Sequence, residues 1–148
     1  LLVIILSDTA DRACRLRRHI IAFTKKRLYK FPYLAKHAFK LSSSRPNKLI
    51  AYHAQQCAEK YLKAFLALKK VDFPYTHNIS LLLELSSKHA EWVEDLREAE
   101  TLTDYAVTAR YPGTEKVSKK DAEIAVRIAD KVRSVLRKAL KREGLKLS

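Results

Sequence analysis

The sequence predicts an all-α protein, folded as one up-down antiparallel helical bundle, and three observations lead to that class. The 148 residues include only two Gly and four Pro. Such a composition favours long helices with short connections. The hydrophobic fraction of 47% suffices for one core, but the chain is too short for two comfortable domains. Apolar residues also recur at steps of three or four along most of the chain, as they do on the buried face of a helix.

The chain begins with a basic segment and then enters the predicted bundle. Helical spacing of apolar residues predicts a helix from Asp8 to about Lys30. Pro32 permits a new helix start, and that second helix ends at the Ser-rich stretch 42–46, which closes with Pro46. We therefore divide the chain into an N-terminal extension over 1–30, with helical character, and a helical bundle over 31–148.

The strongest helix signal runs from about Asn47 to Lys70, where apolar and small residues occupy so much of the helix surface that we expect a central, mostly buried element. The stretch Phe73-Pro74-Tyr75 interrupts it. A short helix follows from Ile79 to about His89, for which Thr76 or Asn78 can serve as the N-cap.

Two further helices complete the prediction. The first extends from Glu91 to about Ala109 and is stopped by Tyr111-Pro112-Gly113. The second begins at Ser118, which forms a potential capping box with Asp121, and continues toward Gly144.

The formal net charge of +14 is distributed unevenly. Residues 1–50 contain 12 Lys and Arg against two Asp and Glu, whereas residues 51–148 contain 18 against 14. Because cationic side chains that contact phosphates release counterions, this imbalance favours binding of a nucleotide or RNA. An ordinary solvated surface explains the same charges equally well.

The cysteine pattern predicts neither a metal site nor a disulfide framework. Cys14 and Cys57 show no CxxC spacing and have no His at zinc-ligand distance. We expect a reduced, cytoplasmic protein with no metal and no cofactor. The apolar run Leu1 to Leu6 is too short for a membrane span and lacks the features of an export signal.

Three landmarks in order along the chain resemble the HEPN family. The first is the helix segment Tyr52-His53-Ala54-Gln55-Gln56-Cys57-Ala58-Glu59-Lys60-Tyr61-Leu62-Lys63-Ala64-Phe65-Leu66. The second is the turn Thr76-His77-Asn78-Ile79, and the third is Tyr105 followed by Arg110-Tyr111-Pro112. The resemblance covers about Tyr33 to Leu140 and implies a HEPN-type bundle to which the basic segment is an addition.

The resemblance also implies a partner. Chains with Tyr…Arg-Tyr-Pro resemble the HEPN branch encoded beside minimal nucleotidyltransferases, in two-component systems similar to toxin–antitoxin pairs. That branch implies a non-catalytic subunit whose nucleotidyltransferase partner performs the metal-dependent chemistry. Small residues on the central helix, together with apolar residues on more than one of its faces, favour a homodimer.

Six residues are candidates for nucleotide or partner binding: His53, Gln56, Lys60, Lys63, His77 and Arg110. One hypothesis places Gln56, Lys60 and Lys63 along a dimer groove that meets phosphates or a partner protein. The alternative is that Gln56, Glu59 and Lys60 form ordinary surface pairs across one helical turn. His53 also fits a hydrogen-bonded histidine in the core or an interface. His77 fits a turn residue whose ring bonds to the backbone.

Many HEPN proteins resemble metal-independent ribonucleases that use an Arg followed, after four to six residues, by a His. In that chemistry the His transfers a proton and the Arg stabilises the charged phosphorane. Here the positions that would satisfy the spacing after Arg110 hold Glu115, Lys116 and Val117. We therefore expect no catalytic residue of this kind. Two alternatives stay open: an RNA-cleaving toxin that combines Arg110 with His53 or His77, and a basic RNA-binding module.

Overall fold

The computed structural model describes residues 33, 37, 40, 46–108 and 116–145. The predicted helix over 8–30, most of the one that follows Pro32, and Arg110 lie outside the described residues. The helices are α1 (Asn47–Leu68), α2 (Ile79–Ser87), a 3-10 helix (Glu91–Leu102), α3 (Thr103–Thr108) and α4 (Lys119–Arg142). No strand occurs among the described residues. The predicted all-α class is confirmed.

Helix α1 ends two residues before the predicted boundary, in a left-handed turn. Lys70 has φ 58°. The amide of Lys70 donates to the carbonyl of Ala67 (3.2 Å) and the amide of Val71 donates to that of Leu66 (2.9 Å), the pairing of a Schellman motif. Gly is the usual residue at such a position because a side chain disfavours positive φ. Without a Gly or Pro at this point, the sequence pattern could not locate the end of the helix within two residues.

Helix α4 has the boundaries that its capping residues predict. The Ser118 side chain accepts from the Asp121 amide (3.1 Å), and the Asp121 carboxylate accepts from the Ser118 amide (3.0 Å), so the capping box is confirmed. At the other end Gly144 has φ 84° and donates to the carbonyl of Lys141, while Leu145 donates to that of Leu140. This is a second Schellman turn, here with the residue type that the geometry prefers.

The 3-10 helix is the main departure from the predicted secondary structure. The predicted helix from Glu91 to about Ala109 is present as a 3-10 helix up to Leu102, and only Thr103–Thr108 is α-helical. Its buried side chains repeat every three residues: Val93, Leu96, Ala99 and Leu102. A 3-10 helix has three residues per turn and aligns such a repeat along one face, whereas an α-helix would rotate it away. Arg97 supports the same spacing, because it pairs with Glu94 and Glu100, three residues to either side.

The long helices α1 and α4 pack against each other and run in the same direction. Lys69 and Glu143, which follow their C-terminal ends, form an ion pair at 2.6 Å. The 3-10 helix runs the opposite way, since Trp92 near its start contacts Phe65 near the end of α1, with ring centroids 4.9 Å apart. It is also antiparallel to α2, because the amide of Ile79 at the start of α2 donates to Thr103 Oγ1, which follows the end of the 3-10 helix (3.1 Å). The extended segment 69–78 makes the return between α1 and α2. Elements α2, the 3-10 helix with α3, and α4 then alternate in direction.

The core lies between α1, α4 and the 3-10 helix. Its largest fully buried side chains include Tyr61, Phe65, Leu62, Leu96 and Leu136. Small residues on α1 and α4 allow the two helices to approach closely: Ala51, Ala54, Ala58, Ala122, Ala125 and Ala129, all buried. Cys57 is buried in this core. No described helix has both the length and the apolar character needed to cross a membrane.

Candidate functional site

The return segment docks on α1 through its backbone as well as its side chains. The carbonyl of Thr76 accepts a hydrogen bond from Lys63 Nζ (2.6 Å), and the carbonyl of His77 accepts one from Gln55 Nε2 (3.2 Å). Asn78 is the N-cap of α2, with its side-chain oxygen accepting from the Leu81 amide (3.2 Å). The Thr-His-Asn turn therefore joins α1 to α2, and Asn78 rather than Thr76 is the cap.

A glutamate that the sequence analysis did not select lies at the centre of the site. Glu59 is fully buried on α1, and both of its oxygens accept hydrogen bonds. Oε1 accepts from the ammonium groups of Lys60 (2.7 Å) and Lys63 (2.8 Å). Oε2 accepts from Gln55 Nε2 (3.0 Å) and Gln56 Nε2 (3.3 Å). We call Glu59 and the side chains that bond to it the Glu59 cluster; its remaining member is His77.

The imidazole ring of His77 contacts the side chain of Glu59. Nδ1 of His77 lies 2.9 Å from Oε2 of Glu59. A carboxylate can only accept, so Nδ1 carries the proton in this contact. Nδ1 thus bonds to the buried carboxylate, a charged and therefore strong acceptor, and the expected bond from the ring to the backbone stays a prediction.

The Glu59 carboxylate is held in its charged form. Burial by itself raises the pKa of Glu59, but the hydrogen bonds from Lys60 and Lys63, the charge of Lys60 and the contact with His77 outweigh burial and lower the pKa to about 2. A buried charge of this kind is stable only while its partners stay in place. The cluster is therefore an electrostatic unit that fixes α1 to the return segment.

The two glutamines orient the cluster. Gln56 Nε2 donates to Gln55 Oε1 at 2.7 Å, in addition to its contact with Glu59. Both side chains are buried, with exposed fractions of 0% for Gln55 and 6% for Gln56. The alternative that Gln56, Glu59 and Lys60 form surface pairs is wrong for Gln56 and Glu59, since both side chains are buried.

The basic members of the cluster reach the surface. The side chains of Lys60, Lys63 and His77 are 18%, 12% and 25% exposed, against 0% for Glu59. Lys63 Nζ also lies 6.0 Å from the ring centroid of Tyr75, a side chain that is 93% exposed. Two ammonium groups share one carboxylate, so this face has an excess of positive charge next to an exposed aromatic ring.

The structure brings together four of the six candidate residues: Gln56, Lys60, Lys63 and His77. His53 is not among the side chains that bond to Glu59. Its ring is half-buried, lies 5.7 Å from the ring of Tyr52, and has its pKa lowered by burial. Arg110 lies outside the described residues, so its proposed proximity to His53 or His77 remains a hypothesis.

Two residues of the site were missed, Glu59 and Gln55. The available signal was their spacing: Gln55, Glu59 and Lys63 succeed one another by four residues and so share one face of α1. Among the described residues, no three His, Cys, Asp or Glu side chains lie close enough together to hold a metal ion. The cluster can hold a negative charge on Glu59 and present the ammonium groups of Lys60 and Lys63 at the surface.

The fold and the site define a helical-bundle protein whose central helix has a buried carboxylate and an adjoining Thr-His-Asn turn. The model of the HEPN domain matches residues 33–139, and the chain belongs to the HEPN family. Neither the curated proteins nor the solved structures contain a significant match. HEPN domains commonly dimerise, and membership is consistent with a nucleotide- or RNA-related or toxin–antitoxin role.

Proposed function

We propose that the chain is a non-catalytic HEPN subunit that dimerises and binds a minimal nucleotidyltransferase in a toxin–antitoxin-like pair. The observation that carries the proposal is the Glu59 cluster. Five side chains donate to one buried carboxylate, so the only histidine in the cluster, His77, is engaged in holding the fold rather than available for proton transfer. What the cluster offers a partner is the cationic rim of Lys60, Lys63 and His77.

This rim suits a partner with acidic groups or a bound nucleotide. Lys60 and Lys63 are anchored by Glu59, which reduces the side-chain entropy that binding would otherwise cost. The exposed ring of Tyr75 stands beside them and adds a flat apolar surface. Cations with an adjacent aromatic ring can bind the phosphate and the base of a nucleotide together. A nucleotidyltransferase with a bound nucleotide would present both of these groups.

Exposed apolar side chains support the dimer. Leu49, Val107 and Ile124 are 47%, 56% and 39% exposed. Leu49 lies at the start of α1, Ile124 near the start of α4, and Val107 near the end of α3, which runs opposite to both. They therefore lie toward the same end of the bundle, where a second copy of the chain would bury them.

Co-expression with the nucleotidyltransferase that we expect to be encoded by a neighbouring gene tests the proposal. The two proteins should co-purify, and light scattering should give a complex with two copies of this chain. Lys60→Ala should weaken the complex about tenfold, because it removes a cation from the rim while Lys63 and His77 still hold Glu59. The matched control is Lys131→Ala, a lysine on α4 that pairs with Glu98 in an exposed position.

Three results would overturn the proposal: absence of a neighbouring nucleotidyltransferase gene, a monomer at micromolar concentration, or equal effects of Lys60→Ala and Lys131→Ala on the complex. Equal effects of the two substitutions would mean that the partner does not bind at the Glu59 cluster. A circular dichroism melt of each variant establishes that the folds being compared are intact.

We also expect no metal-independent ribonuclease activity from the purified protein. The charge-stabilising Arg and the proton-transferring His do not occur together at the family spacing after Arg110, and general acid–base catalysis alone contributes about 10² to 10⁴-fold. The assay incubates structured and unstructured RNA with the protein in EDTA. Cleavage by the wild type that disappears in His53→Ala, His77→Ala or Arg110→Ala would establish the toxin alternative instead.

A further inference from the structure

A second site lies toward the C-terminal end of α1, where Phe65 and Lys69 follow Glu59 by about 9 and 15 Å along the helix axis. The ends of α1, α2 and α4 surround a cavity of about 170 Å³. Its lining includes Phe65 and Trp92, together with the polar side chains Lys69, His89, Arg142 and Glu143. None of these residues belongs to the Glu59 cluster, so the cavity needs an explanation of its own.

The apolar wall of the cavity is aromatic. The rings of Phe65 and Trp92 meet edge to face, with centroids 4.9 Å apart and planes at 74°. The cavity is open to solvent, and its volume is close to the roughly 150 Å³ of an enclosed apolar cavity that accepts benzene. The space beside Trp92 is therefore suited to one six-membered ring, and too small to enclose a whole nucleotide.

The rim of the cavity is cationic. Lys69 Nζ lies 5.8 Å from the centroid of the Phe65 ring and donates to Glu143 Oε1 at 2.6 Å. Arg142 adds a second fixed cation, so the rim has two positive groups and one carboxylate before any contribution from His89. The contact between Glu143 and Lys69 thus shows that the rim can bind an anionic oxygen at the mouth of the aromatic cavity.

The Glu143 carboxylate can be displaced at little cost. The side chains of Lys69 and Glu143 are 26% and 37% exposed. Ion pairs this exposed contribute little to stability because water and salt screen them. A ligand anion would take the place of Glu143 on Lys69, in a cavity whose lining also includes Arg142.

We propose that this cavity binds a small aromatic anion, with the ring against Trp92 and the anionic group on Lys69 in place of Glu143. The shared chemistry is one flat ring with one carboxylate or phosphate. Two kinds of ligand have these groups: a free aromatic acid, and a nucleotide of which only a part enters the cavity. The ordinary explanation of the basic side chains is that Lys141 and Arg142 offset the dipole at the end of α4.

Trp92 makes the site directly measurable, because it is the only tryptophan in the chain. The full chain is titrated with phenylacetate, phenyl phosphate and AMP, and tryptophan fluorescence is recorded. Benzyl alcohol is the matched neutral ligand. We expect a saturable change with phenylacetate or phenyl phosphate below about 10 mM, and a change at least about tenfold weaker with benzyl alcohol. Tighter binding of AMP than of phenylacetate and phenyl phosphate would identify a nucleotide as the ligand. Weaker binding of AMP would identify an aromatic acid.

Two variants with opposite expected effects test the role of the ion pair. Lys69→Met should weaken binding about tenfold, because it removes the cation and keeps the aliphatic stem. Glu143→Gln should strengthen binding several-fold, because the ligand no longer competes with an internal carboxylate. Lys131→Ala, which replaces an exposed lysine on α4 that pairs with Glu98, should leave binding unchanged, which shows that the effect is specific to Lys69.

The proposal fails if no saturable fluorescence change occurs up to about 10 mM of any anionic ligand. It also fails if Lys69→Met and Glu143→Gln bind with the same affinity as the wild type. Loss of thermal stability in Lys69→Met without any ligand effect would show that these charges serve the helix ends alone. Both substitutions lie at the surface, and circular dichroism checks that the variants remain folded.

Discussion

Glu59→Gln is expected to destabilise the protein by about 3 kcal/mol, the largest effect of any conservative substitution in the cluster. Glutamine keeps the size of the side chain but removes the charge that two ammonium groups and His77 share. Its amide nitrogen would also face donors, because the atoms around Glu59 are all hydrogen-bond donors. Removal of one partner from a buried charged group leaves the others uncompensated, which is the costly case.

Urea unfolding at pH 7, followed by circular dichroism, measures this effect. The matched control is Glu123→Gln on α4, where the glutamate is 51% exposed and lies 3.8 Å from Lys119. That variant should change the free energy of unfolding by less than about 0.5 kcal/mol. Equal stabilities of the two variants would contradict the view that Glu59 organises the site, and would leave the cluster as a group of independent surface contacts.

Acidification of the wild type should remove the contribution of the Glu59 carboxylate to the free energy of unfolding without any substitution. The pKa of Glu59 is about 2 in the folded protein, below its usual value of 4.5. A group whose pKa is lowered by folding stabilises the folded state at pH values above its unfolded pKa. That contribution declines as the pH falls from about 4.5 toward 2, and its full size is about 3 kcal/mol.

The comparison that isolates Glu59 is the wild type against Glu59→Gln across pH 7 to 2. Glu94, Glu98 and Asp121 also have lowered pKa values and lose their contributions in acid, but they do so equally in both proteins. The difference in unfolding free energy should therefore shrink as the pH falls from about 5 toward 2. Parallel curves down to pH 2 would mean that Glu59 is not held as a carboxylate.

The positions of the helices were largely predictable because they depend on local chemistry. The Ser118–Asp121 capping box and Gly144 bound α4 in the sequence as they do in the structure. Asn78 fixes the start of α2 in the same way. Where no such residue exists, as at Lys70, the pattern was wrong by two residues, since an unfavourable left-handed lysine has to be supported by the packing around it.

The 3-10 helix was predictable in principle. Val93, Leu96, Ala99 and Leu102 repeat every three residues, whereas an α-helix has 3.6 residues per turn. Between Val93 and Leu102 the two geometries diverge by about half a turn, so an α-helix would not keep these side chains on one line. Packing against α2 and α4 decides between them, because both neighbours require the buried side chains to remain on one line.

The sequence by itself determined the all-helical class, the family, the caps of α2 and α4, and the residue types of the polar cluster. Each of these depends on spacing within one segment or on a motif. The tertiary structure decided that Glu59 is the centre and that Gln55 and Gln56 are buried with it. A face of α1 becomes interior only when another part of the chain covers it, here the return segment that ends in Thr76 and His77. Helical periodicity states which residues share a face, and only the packing of distant segments determines which face excludes water.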